Sequence, residues 1–199
     1  MRKHVLKAVI VCASGVSAFA QGGGGMPPGI ANEIKQSYNS VKTNLINAAN
    51  AMPEAGYSFS PVPEEMSFGK WVAHVADSQT GTCSGLNGQA KRGDAATKTS
   101  KADLVAALKA SFDECDTAYN ALTDANALEL VTAGRGQSSR AGRLANNVAH
   151  DNECYGSMAV YLRLKSVVPP STAARGGMGG GRGMSGGGMG NMPMGAPGR

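Results

Sequence analysis

The sequence lacks the motifs that mark several common enzyme classes. It has no Ser-His-Asp arrangement, no phosphate-binding loop and no dinucleotide fingerprint. Its glycine-rich segments lie towards the two ends of the chain and do not follow a strand, as a phosphate-binding loop does. The sequence therefore gives no support to a serine hydrolase, a nucleotide-binding enzyme or a dinucleotide-dependent oxidoreductase.

The central part of the sequence also lacks an excess of positive charge. The whole chain has 19 basic and 14 acidic residues, a formal charge of +5. Six of the basic residues lie in segments 1–20 and 174–199, which leaves 13 basic against 14 acidic residues between them. A nucleic-acid-binding protein concentrates basic charge on its folded surface. We therefore expect no nucleic acid partner.

Long apolar runs are absent as well, and the one short run lies at the start of the chain. It extends from residue 5 to residue 16, begins among three basic residues and precedes the small residues Ala-Phe-Ala. This order is typical of a secretory signal peptide, which we place at residues 1–20 with cleavage before Gln21. A lipoprotein anchor at Cys12 is not favoured, because Val11 precedes it where a small residue is needed. We expect a periplasmic or secreted protein with no stable membrane insertion after cleavage.

What the sequence does contain is four segments in which apolar residues recur at steps of three and four, the spacing of an amphipathic α-helix. The first helix is predicted to extend from about Ile30 to Met52 and the second from about Ser67 to Ala90. The third extends from about Ser100 to Leu122, and the fourth from about Ser139 to Leu164, before Pro169 and Pro170. Their apolar stripes are Ile30, Ile34, Tyr38, Val41, Leu45, Ala48 and Met52; Phe68, Trp71, Val72 and Val75; Leu104, Val105, Leu108, Phe112, Cys115, Tyr119 and Leu122; and Leu144, Val148, Tyr155, Ala159 and Leu162. With no convincing strand between them, these segments predict an all-α fold, a four-helix bundle over residues 30–173.

The segments that flank the predicted bundle are rich in glycine. Residues 21–29 are interpreted as a flexible lead-in, and residues 174–199 as a disordered Gly/Met-rich tail with too little apolar surface to order itself. The tail contains five Met residues, whose thioethers are ligands for Cu(I). A low-complexity tail without copper is the interpretation we favour.

Cleavage of the leader would remove Cys12 and leave three cysteines. An odd number in an oxidising compartment allows at most one internal disulfide. Cys83 and Cys115 fall on the second and third predicted helices, which a short loop makes antiparallel neighbours. We predict a disulfide between them, with two separate buried thiols as the alternative. Cys154 is then left as a free thiol.

Two histidines and this cysteine form a candidate metal site. His150 and Cys154 are four residues apart on the fourth predicted helix, so their side chains lie on one face. His74 lies beside the apolar face of the second helix. Imidazole and thiolate are good ligands for Zn²⁺, and His74 would complete a set of three if the helices bring it close. The alternative is that each is a hydrogen-bonded or buried residue without a metal.

Several stretches of the sequence resemble the DinB-like family of four-helix bundles, and most of all its secreted bacterial members. They are FSP at 59–61, SFGKWVAHVAD at 67–77, KADLVAALKASF at 101–112 and AHDNECYG at 149–156, followed by YLRLK and VPPS. The resemblance implies a divalent metal, Zn or Ni, held by one His of the second helix and an H-x-x-x-H pair of the fourth. In this sequence those positions are His74, His150 and Cys154, so a Cys stands where the family has its last His.

The resemblance implies two alternative functions. The first is metal-dependent hydrolase- or transferase-type activity on an unknown small molecule, in which the metal activates a water. Asp77, Asp151 and Glu153 are then candidates to orient the ligands or to act as a general base, unless they are solvated surface carboxylates. The second is a metal-free binding or structural module whose site has decayed at Cys154. A homodimer is left open in both.

Overall fold

A computed structural model describes residues 29–133 and 136–178, which form five α-helices and one β-hairpin. The helices are α1 (Ile30–Ala51), α2 (Phe68–Leu86), α3 (Lys101–Asn120), α4 (Arg140–Leu164) and α5 (Pro170–Met178), and the strands are β1 (Leu130–Ala133) and β2 (Gly136–Ser139). Helices α1 and α2 each pack against both α3 and α4, which confirms the predicted all-α bundle. The predicted signal peptide, residues 21–28 of the lead-in and the tail from residue 179 onward lie outside the described residues.

The bundle is held together by the apolar stripes that the sequence predicts. All of their members are buried except Ile30, which is 49% exposed at the start of α1, and Trp71, which is partly buried. Burying a large apolar side chain contributes about 1.5–3 kcal/mol to the free energy of unfolding. The α2–α4 contact lies within this core, and the rigidity of the core fixes the spacing of side chains along that contact.

Three serine caps fix where α2, α3 and α4 begin. The side-chain oxygens of Ser67, Ser100 and Ser139 each accept the backbone N–H three residues later. Such a cap contributes about 1 kcal/mol, because the first N–H groups of a helix have no partner within it. The predicted helix starts are therefore confirmed, and α4 begins one residue after Ser139.

Two details between the helices differ from the sequence-based expectations. Residues 130–133 pair antiparallel with residues 136–139, where no strand was predicted. Leu130 is 68% exposed, so the hairpin lacks the alternation of a half-buried strand by which a pattern reveals it. Helix α2 ends at Leu86 rather than near Ala90, because Gly88 adopts a left-handed backbone (φ 76°) that stops the helix.

Helix α5 is an addition to the four expected helices. It spans Pro170–Met178 and so includes residues 174–178, for which the composition predicts a disordered tail. Tyr155 of α4 holds its first turn, because its hydroxyl donates to Ser171 Oγ (2.8 Å) and accepts from the Ser171 N–H (2.9 Å). Among the described residues, no helix is long and apolar enough to cross a membrane.

Cys83 on α2 and Cys115 on α3 form a disulfide, with their Cα atoms 4.9 Å apart. Both residues are fully buried, so the bond lies inside the core. Cys154 is the free cysteine of the described residues. The pairing is the one expected from the sequence, and it fixes α2 against α3.

Replacing both Cys83 and Cys115 by Ser is expected to lower the free energy of unfolding by about 3–4 kcal/mol, because the closed loop restricts the unfolded chain. Urea denaturation measures the loss, and wild-type protein in excess reductant is the control: it should unfold at a lower urea concentration than the oxidised protein, but not below the Ser variant, whose buried hydroxyls add a cost of their own. Denatured but unreduced protein without residues 1–20 should show one reactive thiol, that of Cys154. Three reactive thiols would contradict the disulfide.

Candidate metal centre

The packing of α2 against α4 brings His74, His150 and Cys154 together. His74 lies near the middle of α2, beside its buried face, while His150 and Cys154 occupy successive turns of α4. The ligand atoms of the three residues all lie within 4.8 Å of one another. The serine caps and the interhelical core therefore set the positions of these side chains.

The distances between the ligand atoms fit a metal ion of the size of zinc. His74 Nε2 lies 3.0 Å from His150 Nε2, and His150 Nε2 lies 3.7 Å from Cys154 Sγ. Zn–N bonds of about 2.0–2.1 Å and a Zn–S bond of about 2.3 Å in a tetrahedral site separate two nitrogens by about 3.3 Å and a nitrogen from a sulphur by about 3.6 Å. These two distances are thus within a few tenths of an ångström of what one ion requires, and the His74 nitrogen lies within 4.8 Å of the Cys154 sulphur. Three protein ligands leave the fourth position for water or substrate.

The three side chains differ in their exposure to solvent. The side chain of His150 is 31% exposed, and His74 is exposed. Cys154, at 2% exposed, is buried. The thiol therefore lies at the inner end of the group, and the two imidazoles lie at the end that solvent reaches.

The pKa values of the two histidines move in opposite directions. Burial lowers the pKa of His74, the nearby His150 lowers it further, and Asp77 opposes both. The carboxylate of Asp151 raises the pKa of His150, against the effect of burial. A histidine must have a neutral imidazole to bind a metal. His74 is therefore the imidazole more readily free for a metal, whereas His150 keeps its proton to a higher pH.

Burial raises the pKa of the Cys154 thiol to about 12, and the charges of Asp151 and Glu153 add to the shift. In the metal-free protein the thiol therefore keeps its proton at neutral pH. A divalent ion would have to displace this proton, and its positive charge would offset the burial of the thiolate. Metal binding at this group would therefore be coupled to proton release.

Asp151 is the candidate carboxylate that the structure places beside a ligand. It is fully buried, and one of its oxygens accepts a hydrogen bond from the Gln79 amide. The other oxygen, Oδ1, lies 3.6 Å from His150 Nδ1 and has no hydrogen-bond partner among the described residues. A metal on Nε2 of an imidazole leaves the proton on Nδ1, and a carboxylate on that side holds the ring in place. The unpaired oxygen of Asp151 fits this arrangement.

Gln79 connects Asp151 to a wider buried network. Its side-chain oxygen accepts a hydrogen bond from Asn147 Nδ2 (2.8 Å) and lies against the sulphur of Cys115. Asn147 Nδ2 is also 3.2 Å from the hydroxyl of Tyr119. Because each of these groups is buried, losing one partner would leave another polar atom unsatisfied. The network therefore fixes α2, α3 and α4 around the candidate centre.

Sequence reasoning missed Gln79 and Asn147. Gln79 follows Val75 by four residues, and Asn147 follows Leu144 by three, so both fall on the core-facing side of their helices. A polar side chain at a core-facing position has to find a buried partner. That conflict between residue type and helical position is the signal that could have found them.

The other two candidate carboxylates, those of Asp77 and Glu153, form no hydrogen bond with the candidate metal ligands. Asp77 accepts the backbone N–H groups of Ala95 (2.7 Å) and Ala96 (3.0 Å), and so anchors the 3₁₀ turn Ala95–Thr97 to α2. Glu153 is exposed, and its carboxylate has no hydrogen bond within the described part of the chain. Both act on the ligands through their charge, as the pKa directions of His74, His150 and Cys154 show.

Comparison with known proteins supports the fold and the family. No curated protein matches the sequence. Seven chains of solved structures match this structure, among them a crystal structure of a DinB-like protein from Bacillus cereus. That structure superposes with a TM-score of 0.59 at 16% sequence identity and covers 69% of this chain and 93% of its own. At this identity it shows a shared fold alone.

The family model of the DinB superfamily matches residues 38–157, more than half of the 199 residues. The matched span contains α2, α3 and the part of α4 that carries the candidate ligands. It therefore covers the whole group formed by His74, His150 and Cys154. The chain belongs to the DinB superfamily.

Proposed function

We propose that the protein is a secreted member of this superfamily that binds one divalent metal ion through His74, His150 and Cys154. The observation that carries the proposal is the convergence of two imidazole nitrogens and one sulphur within 4.8 Å. Zinc is the metal proposed, because it accepts a mixed set of imidazole and thiolate ligands in a four-coordinate site. Nickel is the competing ion. The leader-like segment 1–20 and the internal disulfide support an oxidising compartment.

The proposed activity is hydrolase- or transferase-type chemistry on a small molecule. A metal bound here with an open position would supply a Lewis acid and a water of lowered pKa. Asp151 orients the His150 ring from its buried side and does not face an incoming substrate. The imidazoles of His74 and His150 border the solvent side, where substrate would arrive, and Cys154 closes the inner end.

A metal-free binding or structural module is the second candidate, and the burial of Cys154 favours it. A thiol with a pKa of about 12 resists ionisation, which a metal ligand requires. Without a metal, the 3.0 Å contact between the ring nitrogens of His74 and His150 is a hydrogen bond that joins α2 to α4. The two candidates differ in what happens when a ligand residue is removed.

Protein purified without a histidine tag is expected to contain about one zinc ion per chain by elemental analysis. The His74→Ala and His150→Ala variants should each lose the zinc. Mutating a residue that only supports a ligand lowers metal affinity by roughly 10–100-fold, and removing a ligand itself should cost more. Glu153→Gln is the matched control, because it removes a charge from the same turn of α4 without removing a ligand, and it should retain zinc. Wild-type protein that holds no metal, with a melting temperature that ignores added zinc and nickel, would refute the proposal.

Substitution of Cys154 separates the two candidates. If the thiolate is a ligand, Cys154→Ser should weaken zinc binding by about 100-fold or more, whereas Cys154→His supplies another ligand and should still bind. Titration against a coloured zinc chelator measures both. If the site has decayed, the Ser variant should behave like wild type, and the His variant should bind zinc where wild type does not.

Zinc affinity is expected to fall as the pH falls. Binding must displace the proton of Cys154, whose pKa of about 12 lies above the working range, so the apparent Kd should rise about tenfold for each pH unit lowered. The slope should steepen below the raised pKa of His150, where a second proton is displaced. Chelator competition between pH 6 and pH 9 (roughly the range from the ordinary histidine pKa upward) checks this.

Cys154→His serves as the control for the pH experiment, because its affinity should level off above the pKa of its imidazoles. A wild-type affinity that is constant over the alkaline half of the range would contradict a thiolate ligand.

A further inference from the structure

A small polar groove follows the contact between α2 and α4 and ends at His150. Its volume is about 150 Å³. It is lined by Ser78, Thr82, Arg143, Asn146, Asn147 and His150. These described lining residues include no carboxylate, so the one full charge that is always present in the groove is the positive charge of Arg143.

Arg143 has no acidic partner among the described residues. It is partly buried, and its guanidinium donates one hydrogen bond within the described part of the chain, from Nη2 to Thr82 Oγ1 (3.1 Å). By contrast, Arg140, three residues earlier on the same helix, is paired with Glu129 at 3.2 Å. A guanidinium has five N–H donors in a planar fork, which matches the two oxygens of a carboxylate or phosphate. Arg143 therefore offers unused donors to a ligand in the groove.

Other donors point to the same kind of ligand. The side chains of Ser78 and Asn146 make no hydrogen bond within the described part of the chain, although both line the groove. The Asn147 amide already donates a hydrogen bond to Gln79, so it lines the groove without being free to bind a ligand. Hydroxyl, amide and guanidinium donors without a competing carboxylate favour a ligand that carries an oxyanion.

The groove connects Arg143 to the candidate metal centre over a defined length. Arg143 and His150 are seven residues apart on α4, which is about two turns or roughly 10 Å along the helix axis. A compact molecule with an anionic group at one end can hold Arg143 while its other end lies beside His150. The groove is therefore placed to recognise a substrate, and the candidate metal centre is placed to react with it.

We propose that this groove is the substrate subsite of the centre and that it takes a small molecule bearing a carboxylate or phosphate group. The anionic group binds Arg143 with help from Ser78 and Asn146, and the part of the molecule to be transformed lies at His150. The assignment of a substrate subsite rests on the proposed metal function. Anion binding at Arg143 does not need the metal and is testable alone.

The first experiment uses the metal-free full chain and inorganic phosphate, followed by NMR shifts of backbone amides near Thr82 and Arg143. Saturable shifts are expected in wild type. Arg143→Gln should weaken binding about tenfold or more, the worth of a charged hydrogen-bonded pair. Arg140→Gln, which removes the same charge from the same helix outside the groove, should bind as wild type does. Arg143→Lys keeps the charge without the fork and should bind between the two, and it replaces the Gln variant if that one fails to fold.

The second experiment repeats the comparison on zinc-loaded protein with acetate and glutarate, measured by calorimetry. Glutarate has a second carboxylate that can reach Arg143, so it should bind about tenfold or more tightly than acetate, and Arg143→Gln should abolish this difference. Failure to bind zinc combined with Arg143-dependent phosphate binding would remove the metal function and leave the anion site. Zinc binding combined with anion affinities that do not change in Arg143→Gln would overturn the subsite alone, as would the absence of any saturable phosphate binding.

Discussion

The buried carboxylate of Asp151 is the constraint on which the rest of the structure depends. A charged group that is fully excluded from water is costly unless its oxygens are satisfied. The Gln79 amide satisfies one oxygen across the α2–α4 contact, and the other faces the imidazole of His150. The core of this bundle is therefore arranged to accommodate positive charge at His150, either as a proton or as a bound cation. Asp151 therefore contributes both to the contact between α2 and α4 and to the charge at the candidate ligand His150.

Helix α2 is held from two sides around this point. The Cys83–Cys115 disulfide fixes it to α3, and the hydrogen bond of Gln79 with Asp151 fixes it to α4. Because His74 lies on the same helix, its distance from His150 is set by rigid contacts rather than by a loop. This is the kind of support that a site needs if its ligands are to stay within a few tenths of an ångström of a usable geometry.

Much of the fold could be predicted from the sequence, because helical periodicity, serine caps and prolines are local signals. The candidate ligands could be predicted in part, since the four-residue spacing of His150 and Cys154 places both on one face of α4. Their approach to His74 depends on the relative positions of two helices, which no local pattern contains, and it was expected through the family resemblance.

The remaining features follow from long-range contacts. The roles of Gln79 and Arg143 depend on the contacts between α2 and α4, and the strands of residues 130–133 and 136–139 pair on an exposed part of the chain. The second half of helix α5, residues 174–178, lies where composition predicts disorder, and the first turn that it continues is held by Tyr155, which is 16 residues from Ser171 in sequence. Composition alone cannot predict a single long-range hydrogen bond of this kind.

The central claim is that one ion is shared by two imidazoles and the thiolate of Cys154. X-ray absorption spectroscopy at the zinc edge of the loaded protein tests it most directly. The account predicts one sulphur at about 2.3 Å, together with nitrogen and oxygen ligands at about 2.0–2.1 Å that include imidazole scattering. A ligand sphere that contains only nitrogen and oxygen would contradict it.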